Sequence, residues 1–195
     1  MKICFATHNQ NKAKEIRQLL PEGFELITLD DLGQTEEIPE DGLTIEENSG
    51  IKANYVFEKF NVACFADDTG LEVKALNGEP GVYSARYAGE PKDNEANIDL
   101  LLKNLESKSD RSAAFKTVIT FIDESGRSMQ FTGIAPGQII QERTGAEGFG
   151  YDPVFLPAGH QKTFAQMTAE EKNAISHRGL AFRKFLDHLT KTAQA

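Results

Sequence analysis

The stretch that most constrains the fold is VACFADDTGLEV, residues 62–73. Its first half is an unbroken apolar run, and a strand keeps such a run out of water only when both faces are covered. The run ends in two adjacent carboxylates, Asp67 and Asp68, which are costly beside a buried strand unless a cation balances them. A chain with this segment needs a covered sheet and positive charge near one end of it. Side chains alternate along a strand, so the two acids point to opposite sides and have different work. One suits hydrogen bonds that hold the turn. The other suits a crevice, where it binds Mg²⁺ and orients a water. An Asx-type turn with solvated acids is the competing reading.

Around this strand the elements interleave. KICFAT reads as a buried strand, and KAKEIRQLL as a helix with Ile16, Leu19 and Leu20 toward the core and Pro21 as its stop. FELITL is a second strand, followed by the acidic stretch DDLGQTEEIPEDG. Thr44 and Glu47 stand in capping-box spacing and start a helix. After VACFADD a one-turn break is predicted, then LEVKAL. PGVYSARYAGEP is a glycine-rich loop, and NEANIDLLLKNL is a helix with Ile98, Leu101, Leu102 and Leu105 on one face. AAFKTVITFID and SMQFTGIAPG, joined around ESGR, predict a long β-hairpin. Thr168 and Glu171 form another capping box, and the last helix packs through Phe182, Phe185, Leu186 and Leu189. Interleaving early and a hairpin late predict an α/β fold: an elongated mixed β-sheet flanked by helices, with two lobes, in a single domain over residues 1–195. A ligand crevice is expected at the open ends of the strands.

Charge narrows the partners. The net charge is −9 and no long basic stretch exists, which disfavours a nucleic-acid polymer and leaves room for a small phosphorylated ligand. No apolar run approaches the roughly 18 residues that span a bilayer, and the start lacks the pattern of a signal peptide, so a cytoplasmic protein is expected. Cys4 and Cys64 lie in apolar strand-like runs and read as buried free thiols. No Cys/His cluster has zinc-ligand spacing.

Three further stretches carry chemistry. In ATHNQNK a strand runs through a polar loop into a helix, the usual way to gather backbone N–H groups and a lysine around phosphate oxygens. Lys12 sits in the helix's first turn, where a cation is unfavourable unless an anion shares the space. An Asn-capped helix with an exposed lysine is the plain alternative, and no Walker A pattern is present. In GFGYDPVF, glycines flank Phe149 and allow close backbone approach to a flat ligand, with Phe149 or Tyr151 stacking on a base; ordinary hairpin packing competes. In EEKNAISHRGLAF, His177 and Arg178 diverge by about 100° on an unbroken helix. If Ser176 caps a fresh helix, both fall in its first turn and form a donor-rich pocket for a purine oxo group or a phosphate.

Taken in order, these stretches resemble the inosine triphosphate pyrophosphatase (ITPase) family. The family pattern opens with a strand and T-x-N-x-x-K, met here by Thr7, Asn9 and Lys12. IPEDGLTIEENSGIKA, ADDTGLEV, PGVYSARYAG, GFGYDPVF and EEKNAISHRG follow in family order across nearly the whole chain. The resemblance implies an ITPase-like fold with a central nucleotide-binding cleft and a homodimer. It also implies Mg²⁺-dependent hydrolysis of deaminated purine nucleoside triphosphates (ITP, dITP, XTP) to monophosphate and pyrophosphate. It casts Asp68 as general base and metal ligand, with Glu40 as a second metal ligand. Thr7, His8, Asn9, Gln10, Asn11 and Lys12 would grip phosphates and sugar, and Thr69 would add a hydroxyl. Phe149, Gly150, Tyr151, Asp152, Lys172, His177 and Arg178 would hold the base. His8 and Asn11 depart from the small residues, frequently glycine, that the family often carries there. A Mg²⁺-dependent phosphohydrolase releasing orthophosphate, or a non-catalytic nucleotide-binding protein, are the other readings.

Overall fold

The computed structural model describes residues 1–193, with the side chains of residues 11, 15 and 193 outside the described set. Strand β1 (Lys2–Phe5) runs parallel to β2 (Glu25–Thr28) on one side and to β3 (Cys64–Val73) on the other, with Cys4 in register with Ile27 and Cys64. Ile3, Cys4 and Phe5 are wholly buried, as a strand covered on both faces requires. Parallel neighbours need crossover connections, and helices α1 (Gln10–Leu19) and α2 (Ile45–Phe60) supply them. Next come β4 (Pro80–Gly81), α3 (Asn94–Asn104), β5 (Ser112–Ile122), β6 (Ser128–Ile139) and β7 (Phe155–Pro157). Helices α4 (Ala169–Ile175) and α5 (His177–Ala193) close the sequence of elements. Among the described residues seven strands form one sheet in the order β2-β1-β3-β5-β6-β7, with β4 antiparallel to β3 off that path. Strand β7 is antiparallel to β6, so the sheet is mixed and flanked by helices, as expected.

The expected hairpin is β5 and β6. Its turn closes where Gly126 N–H donates to Asp123 O (2.9 Å) and Asp123 N–H to Arg127 O (3.1 Å). Both capping boxes form, Thr44 with Glu47 on α2 and Thr168 with Glu171 on α4. Two expectations are corrected. Strand β3 has no one-turn break; it runs straight through Asp67, Asp68, Thr69 and Gly70, and Leu71 and Glu72 go on to pair with β4. Sheet partners override the weak strand preference of Asp and Gly there. Leu19 is 57% exposed, because α1 ends on it and the helix presents Ala13 and Ile16 to the core instead.

The chain divides into two compact units. One comprises Met1–Asp68, Val118–Thr132 and Ala181–Ala195. Alternation along its strands sorts the core: Ile3, Phe5 and Phe65 pack with Phe182 and Phe185, while Cys4, Cys64 and Ala66 pack with Ala53 and Val56 of α2. Phe5 and Phe65 stack at 4.5 Å. Both cysteines are free and buried, and burial pushes each thiol up to about 12. The other unit comprises Thr69–Thr117 and Gly133–Leu180, and its core joins Leu71, Ile98, Leu101 and Leu105 to Phe115, Phe155 and Phe164. Among the described residues no helix is long and apolar enough to cross a membrane.

Candidate active site

The candidate residues fall into two groups of side chains, one in each unit. In the first, residues 7–9 link β1 to α1. Asn9 N–H donates to Thr7 Oγ1 (3.1 Å) and Lys12 N–H donates to Asn9 Oδ1 (3.1 Å), so Asn9 caps α1. His8 Nδ1 lies 2.7 Å and Gln10 Nε2 2.5 Å from the two oxygens of Asp30. The side chain of Asn11 is outside the described residues. Lys12 Nζ lies 3.2 and 3.0 Å from the two oxygens of buried Asp67, so the anion beside this lysine includes one from the protein itself.

Asp68, the next residue, takes a different partner, as strand alternation requires. Lys52 Nζ donates to Asp68 Oδ1 at 3.3 Å and to Glu40 Oε1 at 2.6 Å. Burial raises the Asp68 carboxyl above the ordinary carboxylate range; Lys52 pulls it down, while Glu40 and Asp67 push it further up. Burial also pulls the Lys52 ammonium down, but Asp68, Asp67 and Glu40 together outweigh it and leave it above an ordinary lysine. The result is a partly buried carboxylate more basic than usual, held beside a cation.

Helix α2 sets this spacing. Glu47 accepts from the N–H groups of Leu43 and Thr44, and Asn48 Oδ1 accepts from Gly42 N–H at 2.8 Å. A Cβ on Gly42 would sit 2.7 Å from that Asn48 oxygen, so only glycine lets the segment carrying Glu40 lie this close to the helix. Ser49 donates to Ala66 O at 2.9 Å and ties the same helix to β3 just before the acid pair. Lys52 was not singled out among the candidate residues from sequence. The available signal was a lysine among the buried positions of α2, Ile45, Asn48, Ser49, Ala53 and Val56, because a cation there demands carboxylate partners.

Among the described residues no group of three or more His, Cys, Asp or Glu stands ready to enclose a metal ion. The Glu40–Asp68 pair still suits Mg²⁺. That ion prefers hard oxygen donors and is usually held by one or two carboxylates plus substrate phosphates, not by an all-protein cage. Two carboxylates converging on a single ammonium are such a donor set.

In the second unit, Asp152 is 3% exposed, and its Oδ2 accepts from Phe149 N–H (2.9 Å) and from Lys172 Nζ (2.5 Å). Gly148 has φ +79°, and a Cβ there would meet Asp152 Oδ2 at 2.1 Å. The glycine therefore makes room for a carboxylate under the loop, and close approach to a ligand is not needed to explain it. Gly150 likewise has positive φ, +59°. The two aromatic residues part company. Tyr151 is 4% exposed within the core and its hydroxyl donates to Ser84 O, whereas Phe149 is 62% exposed. Lys172 Nζ lies 5.1 Å and the Arg178 guanidinium 5.7 Å from the Phe149 ring centroid.

Gly179 N–H donates to Ser176 Oγ at 3.1 Å, so Ser176 caps a fresh helix and His177 and Arg178 fall in its first turn. The His177 ring is buried and stacks on Phe115 at 4.6 Å and 13°. Thr69 Oγ1 lies 2.7 Å from Thr117 Oγ1. Lys172, Asp152, Phe149 and Arg178 thus form one contact cluster, His177 flanks it in the chain, and Tyr151 supports it from the core.

The comparisons with known proteins bear on the chain as a whole. A protein of Christiangramia forsetii named dITP/XTP pyrophosphatase is 54% identical over 191 residues, 98% of this chain and 100% of that protein. One of the same name from Flavobacterium johnsoniae is 53% identical over 192 residues, again 98% of this chain and 100% of that protein. The solved structure of the Staphylococcus aureus Ham1 protein superposes with a TM-score of 0.94 at 40% identity, over 98% of this chain and 100% of that one. Sequence profile, full-length identity and fold agree, and with residues 3–188 matching the profile of the Ham1 family, the chain belongs to that family.

Proposed function

We propose that this chain is a Mg²⁺-dependent nucleoside-triphosphate pyrophosphatase. It hydrolyses deaminated purine nucleotides (ITP, dITP and XTP) to the monophosphate and pyrophosphate, and so cleanses the nucleotide pool. The observation that carries the reading is Asp68, made more basic than usual at the end of a buried run and paired with Glu40 through Lys52, in a chain half identical to named dITP/XTP pyrophosphatases over its full length.

Glu40 and Asp68 are the residues that would hold Mg²⁺, which supplies charge neutralisation of the triphosphate when bound. Asp68 orients a water toward the α-phosphorus and accepts its proton. The new P–O bond forms as the bond to the bridging oxygen breaks, and pyrophosphate leaves. Such base catalysis is typically worth ~10²–10⁴ in rate. Thr7 to Lys12 take the phosphates and sugar, with Thr69 adding a hydroxyl. In the second unit Phe149 offers its exposed ring to the base, and Lys172, His177 and Arg178 supply donors for a 6-oxo group, with Gly150, Tyr151 and Asp152 shaping the loop. A 6-amino group would leave such donors unpaired, a mismatch that discriminates by orders of magnitude, while guanine, which shares the 6-oxo group, is rejected by the fit at its 2-position. The same reading carries a homodimer in the cytoplasm, acting on small nucleotides.

Product analysis with Mg²⁺ across dITP, XTP, ATP and GTP tests the proposal. Pyrophosphate from dITP and XTP, with ATP and GTP at least about 100-fold poorer, is expected. Orthophosphate as the first product, or no product, would overturn it.

A further inference from the structure

The two ring nitrogens of His8 face two acceptors. Nδ1 lies 2.7 Å from Asp30 Oδ1, and Nε2 lies 3.4 Å from the Glu36 carbonyl oxygen. A neutral imidazole has one N–H and one lone pair, so it can donate to only one of them and must turn its lone pair on the other. The imidazolium donates to both. Asp30 is also held from the far side of Asn9, where Gln10 Nε2 donates to its second oxygen at 2.5 Å. The carboxylate is therefore clasped between the residues on either side of the helix cap. The neighbouring cation, Lys12, is already matched by Asp67. With a neutral His8, Asp30 would keep its hydrogen bonds but have no cation beside it, and the loop would meet an incoming polyanion with that uncompensated charge.

We propose that His8 is a cation built into the phosphate loop, held there by Asp30, and that its charge favours binding of the triphosphate tail. This rests on the reading that residues 7–12 take the phosphates. Three groups face the ring: the Asp30 carboxylate, the Glu36 carbonyl and the charge of Glu37, and all favour the cation. The Asp30 hydrogen bond is the largest influence, partial burial opposes it, and the imidazole ends above its ordinary value. By the same bond Asp30 is held below the usual carboxylate range. Bound phosphate oxygens would add further negative charge near the ring, so anion binding and His8 protonation favour each other.

The test follows the His8 ring proton by NMR against pH, assigned by its loss in His8→Gln, with inorganic pyrophosphate as the probe. The midpoint is expected above ~6.5, lower in Asp30→Asn, and higher again when pyrophosphate is added to the wild type. By calorimetry, pyrophosphate affinity should weaken between about pH 6 and pH 8.5 by about three-fold more in the wild type than in His8→Gln. The comparison cancels the ligand's own ionisation. A midpoint that pyrophosphate leaves unmoved, or a His8→Gln protein that keeps the wild-type pH dependence, would overturn the proposal. If the protein still releases pyrophosphate from dITP, such a result removes the role of His8 and leaves the functional reading standing.

Discussion

Asp68 and Asp67 are neighbours in sequence and unlike in circumstance. Asp67 is 6% exposed and clamped by Lys12, whereas Asp68 shares Lys52 with Glu40 and is held above the ordinary carboxylate range. Asp68→Asn is expected to lower kcat by ~10²–10⁴ while nucleotide binding, measured by calorimetry, stays close to wild type. Wild-type turnover would remove its assignment as the base. Lys52→Met leaves Glu40 and Asp68 facing each other without their cation. A loss of about 3 kcal/mol in stability is expected at neutral pH, read by denaturant melts, and it should shrink on acidification as the carboxylates take up protons. His8 gives the opposite pH sign. Its value is raised in the folded protein, so its pairing with Asp30 is fully present below about pH 6.5 and fades as pH climbs through the raised value. The difference in Tm between wild type and Asp30→Asn should accordingly be larger at pH 6 than at pH 9. A difference that grows with pH would contradict the charged pairing.

At the level of elements, α2 and the 148–152 loop do most of the positioning. Helix α2 reaches Glu40, Gly42, Ala66 and Asp68 through Lys52, Asn48 and Ser49. The loop folds over the Asp152 carboxylate, which requires glycine at 148. Gly148→Ala should cost about 1–3 kcal/mol of local strain and weaken binding of the base, seen as a raised KM for dITP with little change in kcat. An unchanged KM would show that the loop does not serve the base. What was legible beforehand was local. The capping boxes at Thr44 and Thr168, the ESGR hairpin and the fresh helix after Ser176 each depend on residues a few positions apart. What was missed depends on distant partners. Strand β3 passes through its acid pair because β4 continues the pairing, and Lys52 gains its meaning from carboxylates 12 and 16 residues away.

For the molecule as a whole, the mixed sheet, its flanking helices and the family follow from patterns spread along the entire chain, and the full-length match to the Ham1 family agrees with them. Glu40 meets Lys52, and Lys52 meets Asp68, in the first unit, while Phe149 meets Lys172 and Arg178 in the second, so each group belongs to the folded chain and to no single motif. If Asp68 directs water to the α-phosphorus, hydrolysis of dITP in ¹⁸O-labelled water must place the label in the monophosphate and none in the pyrophosphate. Label found in pyrophosphate, or in released orthophosphate, would mean attack at another phosphorus and would contradict the mechanism.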